Sequence, residues 1–414
     1  MNKYLKSIPF LLPIVAFIGE RQTCTIQYIS LTASLAITLY FYYLIYKNRK
    51  EANIIPDYKK IMNLYLLYVI FTFIRGFWAI EFWTDDTRSL VNGTLLMLMP
   101  MIIWYFSNPD KFSQLLSFWS KKWIVPSIIM LLLFFVKEGY AHLLAPAYFL
   151  ILFYKELPKK YRRYVWIILA MVIYGGLSAR SNVLRFAIVV LLSYLFIVKQ
   201  IFRNLKRFSW SFFAILPIVL LLLGTVGIYN PFKALSNNEN LNINFAEAQD
   251  KTGTVIQKAN EDTRTFIYEG VLATSLKNDS WLTGRTFVRG YEVDQLFGVE
   301  AYQIIFERTG RMERISCEVG ILNPFTWMGL IGLLLYSLMI LAPSWYGVFR
   351  GRNKYVQCIG IILAFRFMFS FIEEMQTFGW NTITLWLMAA MCISPKFLKM
   401  SNDEMKIWIY STFK

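Results

Sequence analysis

Apolar stretches close to the length of a bilayer crossing recur along almost the whole chain, and this recurrence restricts the possible folds more than any other feature. A helix needs roughly 20 apolar residues to cross the hydrocarbon core. Twelve such stretches are expected, at about 8–19, 27–46, 62–83, 90–106, 123–137, 140–155, 164–178, 182–198, 209–229, 319–342, 355–373 and 378–396. They must be helical, because an unpaired backbone amide in lipid costs several kcal/mol. The first is short and follows Lys3 and Lys6, but no small-residue cleavage site comes after it, so it reads as a signal anchor. Of the 414 residues 57% are hydrophobic and 18% aromatic, which excludes an ordinary soluble domain. The expected fold class is all-α: a polytopic membrane protein of about twelve transmembrane helices.

A net charge of +17 raises the possibility of nucleic acid, but the basic residues fall in alternate loops, as the positive-inside rule predicts. With the amino terminus inside, the segments at Lys3/Lys6, 47–60, 107–122, 155–163, 199–208, 350–354 and 396–414 are cytoplasmic and hold 26 of the 43 Lys and Arg. The longest polar stretch, 230–318, carries ten basic and thirteen acidic residues and belongs outside. A structureless loop of that length is unusual, so it reads as a folded cap of short helices. The expected organisation is helices 1–9 over 1–229, the periplasmic cap over 230–318, helices 10–12 over 319–398, and an amphipathic tail at 399–414 lying on the inner surface. There is no internal repeat.

Ionisable residues within spans are expensive and mark function or a partner. Arg75 and Glu81 fall in the outer part of the third span, Arg185 at the outer end of the eighth, and Arg366 in the outer half of the eleventh. Arg180, in the outward turn "GGLSARSNVLRF", lies at the same level, and the cap adds Arg264, Arg285 and Arg289. A cationic bowl at the outer face follows, suited to a phosphate or pyrophosphate because a guanidinium matches two oxygens at once. The plainer alternatives are that Arg366 pairs with Glu373, seven residues on, and that Arg185 snorkels. The sole histidine, His142, reads as an interfacial polar residue or a catalyst. Asp85 and Asp86 read as a solvated turn or a divalent-ion site. No spacing resembles a metal centre, and the four cysteines show no framework, although Cys24 and Cys317 both face outward on this topology.

Three stretches resemble the O-antigen polymerase and O-antigen ligase superfamily. In "LSARSNVLRFAIVVLL" an arginine, Arg180, follows a serine and leads into an apolar span. In "DTRTFIYEGVLATSLKNDSWLTGRTF" Arg264 is followed by an aromatic and a later turn at Gly284. In "EVGILNPFTWMGLIG" Glu318, Leu322 and Gly329 occupy a frame in which the family has histidine, leucine and glycine. The histidine is replaced by Glu318. The resemblance covers about 170–340 and the overall topology.

It implies a GT-C-like fold in a bacterial inner membrane, both termini cytoplasmic. The implied enzyme is a metal-independent glycosyltransferase that polymerises undecaprenyl-pyrophosphate-linked repeat units of O-antigen or capsule. Arg180 and Arg264 would hold the departing pyrophosphate, with Arg75, Arg185, Arg285, Arg289 and Arg366 as further ligands. Glu318 would take the acceptor's proton, or else pair with Arg314 one turn earlier. The implied partners are the lipid-linked oligosaccharide, the bilayer, a chain-length regulator and a flippase, with no cofactor and no nucleic acid. The rivals are an O-antigen ligase and a transporter of lipid-linked sugars, which broken spans at mid-membrane would favour.

Overall fold

The computed structural model describes residues 24–134, 144–175, 180–198, 203–226, 244–250, 253–258, 264–293, 306, 309–374 and 376–414. The expected span at 8–19, the start of that at 140–155, and His142 lie outside them.

The described residues open with α1 (Cys24–Lys47) and α2 (Pro56–Gly76), whose first position is a proline that needs no N–H there. Next come α3 (Trp83–Met97) and, after a turn containing Pro100, α4 (Ile102–Phe106). The short helices α5 (Pro109–Phe118), α6 (Ile124–Phe134) and α7 (Ala147–Leu152) lead into α8 (Lys159–Gly175), α9 (Arg180–Ser193) and α10 (Arg203–Thr225). The cap region then holds the antiparallel pair β1 (Asn244–Asp250) and β2 (Gly253–Lys258), the helix α11 (Arg264–Lys277), and a two-residue antiparallel ladder of β3 (Tyr291–Glu292) with β4 (Glu313–Arg314). The chain ends with α12 (Leu322–Arg350), α13 (Lys354–Phe369), α14 (Trp380–Ile393), α15 (Pro395–Lys399) and α16 (Asn402–Phe413).

Among the described residues four helices are long and apolar enough to cross a membrane: Pro56–Ala79, Trp83–Phe106, Asn204–Thr225 and Leu322–Arg350. On α2 one face is buried through Tyr58, Met62, Tyr65 and Val69, while Leu64, Leu67, Ile70, Phe71 and Ile74 are exposed. An exposed apolar stripe of that length is a liability in water and a lipid-facing surface in a bilayer. Inside this shell α13 packs against α10, α12 and α14, and α14 against α4. At 16 residues α13 is about 24 Å long, shorter than the hydrocarbon core. Its side chains are nearly all buried by protein, so it need not match the thickness of lipid.

The segments expected on one common side meet at one end of the bundle. Asn53 N–H donates to Ser107 Oγ (3.0 Å), Lys111 pairs with Glu51 (3.3 Å), the Tyr355 hydroxyl donates to Glu156 (2.8 Å), and Asn353 Nδ2 donates to Phe397 O (3.0 Å). The tail helix α16 begins with a capping box between Ser401 and Glu404. Its Met405, Ile409 and Phe413 are buried against the protein, Trp408 Nε1 donates to Pro109 O (3.3 Å), and Ile407 and Tyr410 are exposed.

The cap holds the short strands β1–β4 beside its helix, where short helices alone are expected, and the chain is mostly helical, consistent with the all-α class. Cys317 is a buried free thiol.

Candidate functional site

The cap is clasped to the bundle through a break in α12. At Gly329 the backbone turns to φ 65°, ψ −164°, a region open essentially to glycine alone. The break frees backbone groups that lipid could not satisfy, and the cap loop supplies their partners. Leu330 N–H donates to Trp281 O (2.9 Å) and Ile331 N–H to Leu282 O (3.3 Å), while Arg285 and Thr286 N–H donate to Thr326 O and Trp327 O (2.8 and 3.0 Å). Gly284, at φ 74°, faces the same junction: a Cβ there would sit 2.3 Å from the Trp327 carbonyl carbon, and one on Gly329 2.3 Å from that of Leu282. The expected unbroken tenth span is therefore corrected. The interruption lies seven residues into the helix, at its cap end.

Beside this clasp is a cavity of about 530 Å³, whose lining includes Arg75, Trp78, Asp279, Arg285, Thr286 and Arg289. Arg75 closes α2 and donates to Thr283 O (2.7 Å) and Gly284 O (3.2 Å). Arg285 donates to Gly290 O (2.6 Å) and Glu313 (3.1 Å). Arg289 grips both oxygens of Glu313 and also reaches Glu81 (3.1 Å). Arg311 extends the network to Glu81 (2.7 Å) and Asp86 (2.9 Å). Burial alone would raise the Glu313 carboxyl, but the Arg289 hydrogen bonds, the two guanidinium charges and the Gly290 N–H hold it below its ordinary range.

A second cluster lies where the cap meets α12 and the loop after α13. Arg264 is the first residue of α11, and a cation at the positive end of a helix is unfavourable unless carboxylates reverse the local sign. Glu318 (3.5 Å) and Glu373 (3.1 Å) do so. Glu318 is exposed, its side chain retaining 48% of its accessible surface, against 24% for Arg264. One residue further on, the buried Glu374 accepts from Arg366 Nε (2.9 Å) and Nη2, and from Asn381 Nδ2 (3.2 Å), with Arg185 Nη1 at 3.8 Å. Arg366 is wholly buried, and its Nη1 has no hydrogen-bond partner.

The structure thus divides the expected bowl. Arg75, Arg285 and Arg289 share the cavity; Arg264 and Glu318 pair at the junction; Arg185 and Arg366 are sealed below it with Glu374. Arg180 opens α9, the helix that carries Arg185, and its side chain lies outside the described residues. The expectation that Arg185 and Arg366 face an open hollow is corrected, because both are buried within the bundle. Arg366 pairs with Glu374 instead of Glu373, and Glu318 with Arg264 instead of Arg314. The expected dry setting of Glu318 is corrected by its exposure. Asp86 is buried, holds Arg311 and accepts from the Glu81 and Phe82 N–H groups, which corrects the solvated turn expected there, and no group of residues suited to a metal occurs among the described residues. Sequence reasoning missed Glu313, Glu374 and Arg311. Their signal was the excess of carboxylates in 230–318 and the doubled glutamate at 373–374.

Comparison of the chain with protein-family models, with curated proteins and with solved structures returns no match.

Proposed function

We propose that this chain is a membrane glycosyltransferase that lengthens a glycan carried on polyprenyl pyrophosphate. The observation that carries the reading is the junction of Arg264 with Glu318 and Glu373, a partly exposed guanidinium and two carboxylates under a cap fastened to a membrane bundle. A diphosphate displaces the carboxylates from Arg264, since it accepts the same two-point hydrogen bonds with more charge. Glu318, released beside it, takes the proton of the acceptor hydroxyl while that oxygen attacks the anomeric carbon. The bond from that carbon to the pyrophosphate oxygen breaks, its electron pair leaves with the diphosphate, and Arg264 stabilises the charge that develops. Arg180 serves as a second cation, about 7.5 Å along α9 from Arg185. The finer topology belongs to the same reading: twelve spans of a bacterial inner membrane, both termini cytoplasmic, with the cap in the periplasm and a GT-C-like arrangement.

The break at Gly329 favours the transporter as the second reading, because discontinuous helices bind substrates in such proteins. Here the interruption is filled by cap backbone and sits near the helix start, away from the middle of the span. That geometry suits a fixed scaffold better than a moving gate.

The test is reconstitution with lipid-linked repeat units. A ladder of longer glycans, lost in Arg264→Ala and Glu318→Gln, supports the enzyme. Movement of the substrate between leaflets with no new glycosidic bond refutes it in favour of transport, and transfer only to a lipid-anchored core sugar replaces polymerase by ligase.

A further inference from the structure

The cavity beside the clasp has a composition unlike that of the Arg264 junction. Arg75, Arg285 and Arg289 contribute three positive charges. Asp279 in the wall, with Glu313 and Glu81 behind the arginines, contributes three negative ones. A diphosphate entering here would have to strand Glu313, whose side chain keeps only 7% of its surface, whereas the carboxylates on Arg264 are partly exposed; Arg75 is already held by the Thr283 and Gly284 carbonyls. What remains is a polar, electrically balanced hollow, within the roughly 300–1,000 Å³ typical of small-ligand pockets. The indole of Trp78, 80% exposed, stands at its edge, and Asn278, Asp279 and Ser280 add donors and acceptors along one wall.

The two non-glycine residues with positive φ among the described residues, Asp279 (47°) and Thr286 (65°), both line this cavity. That conformation is unfavourable for any residue with a Cβ, and most of all for a β-branched one such as threonine. Backbone strain of this kind concentrates where a ligand must be met in fixed geometry. Here it frames the hollow, while the clasp hydrogen bond from Thr286 N–H to Trp327 O holds the conformation in place.

We infer that this cavity is a carbohydrate-binding subsite that holds an uncharged sugar ring of the glycan, its apolar face on Trp78 and its hydroxyls on Asp279, Asn278 and the remaining guanidinium N–H groups. The inference rests on the glycosyltransferase reading for the origin of the glycan, and it removes Arg75, Arg285 and Arg289 from the pyrophosphate site. Trp78 gives stacking area, and the polar groups fix orientation, a division of labour common to amphipathic ligands. Because Arg285 and Arg289 are held by Glu313, their free N–H groups are pre-aimed and need no reordering when the ligand enters.

The test uses the full chain in lipid nanodiscs and isothermal titration with two probes: the oligosaccharide released by mild acid from the producing cell's lipid-linked pool, and inorganic pyrophosphate. Trp78→Ala removes an exposed ring and leaves the core intact, and Asp279→Asn keeps a residue that tolerates positive φ. The expected result is that the oligosaccharide binds, that each variant weakens it about tenfold, and that pyrophosphate does not compete. Equal binding by wild type and both variants, displacement by pyrophosphate, or no binding of the oligosaccharide overturns the inference. The measurement needs no turnover, so the two readings fail separately. A chain that binds the oligosaccharide in this manner but builds no ladder overturns the enzyme and keeps the subsite. A chain that builds a ladder but binds without regard to Trp78 overturns the subsite alone.

Discussion

Replacing Gly329 by alanine tests the clasp that positions everything else. The native φ 65°, ψ −164° is nearly closed to a residue with a side chain, at about 1–3 kcal/mol. The added Cβ would also lie 2.3 Å from the Leu282 carbonyl carbon and 2.5 Å from the Gly284 nitrogen, both backbone atoms that cannot rotate away. Relief requires the loop to withdraw, with loss or misalignment of the four hydrogen bonds joining residues 281–286 to α12, each worth about 0.5–1.5 kcal/mol net. The sum is roughly 3–9 kcal/mol. Gly310 is the internal control: at φ 66° with nothing within 4 Å of a Cβ, its alanine variant should cost only about 1–2 kcal/mol. Thermal unfolding in detergent and limited proteolysis of the 280–290 loop measure the difference. If Gly329→Ala melted with Gly310→Ala and the loop stayed protected, the clasp would not bear the cap.

Glu313 predicts a pH dependence for the cap. Its folded-state carboxyl lies below the ordinary value of 4.5, so its stabilisation is complete above that value and is lost as the pH falls through the lower folded one. Acidification below pH 4.5 should therefore loosen the cap, and Glu313→Gln should both flatten that dependence and cost about 3–5 kcal/mol at neutral pH by stranding Arg285 and Arg289, as seen in thermal scans across pH. Burial first, and the neighbouring Glu318 charge, push the Cys317 thiol up to about 12, so a maleimide at pH 8 should leave it unlabelled in the folded protein and label it on unfolding, read by mass spectrometry. Rapid native labelling would refute that burial.

The apolar runs were legible because lipid and core both demand them, but their ends were not: the span expected at 62–83 is a helix over Pro56–Gly76. The charge pairs were not legible either, for a geometric reason. Arg366 and Glu373 share a helical face only if the helix continues, but α13 stops at Phe369, and the following turn carries Glu374 to Arg366 instead. Arg314 and Glu318 would meet at one turn's spacing only in a helix, whereas Arg314 lies in β4 and the chain beyond it is not helical before Leu322. The break at Gly329 was hidden because its torsion depends on a partner loop some forty residues earlier, which no local pattern encodes.

The doubled glutamate at 373–374 shows which ion pairs can open. Glu373 is turned outward to Arg264, and Glu374 inward to Arg366 and Arg185. The loop carrying both is fixed by Glu374 N–H to Glu318 O (3.2 Å), Gln376 Nε2 to Gly320 O (2.8 Å) and the Tyr268 hydroxyl to Phe371 O (2.7 Å), so the two carboxylates cannot trade places. The side chains of Glu318 and Glu373 keep 48% and 30% of their surface, and pairs so exposed are worth about 0–1 kcal/mol. Glu374 keeps 7%, and breaking a buried pair by removing one partner costs about 3–5 kcal/mol. On the proposed reading an incoming anion displaces the outer rank and leaves the inner one intact. Arg264 is then the cation free to change partners, while Arg366 and Arg185 hold in register the loop against which Glu318 is set.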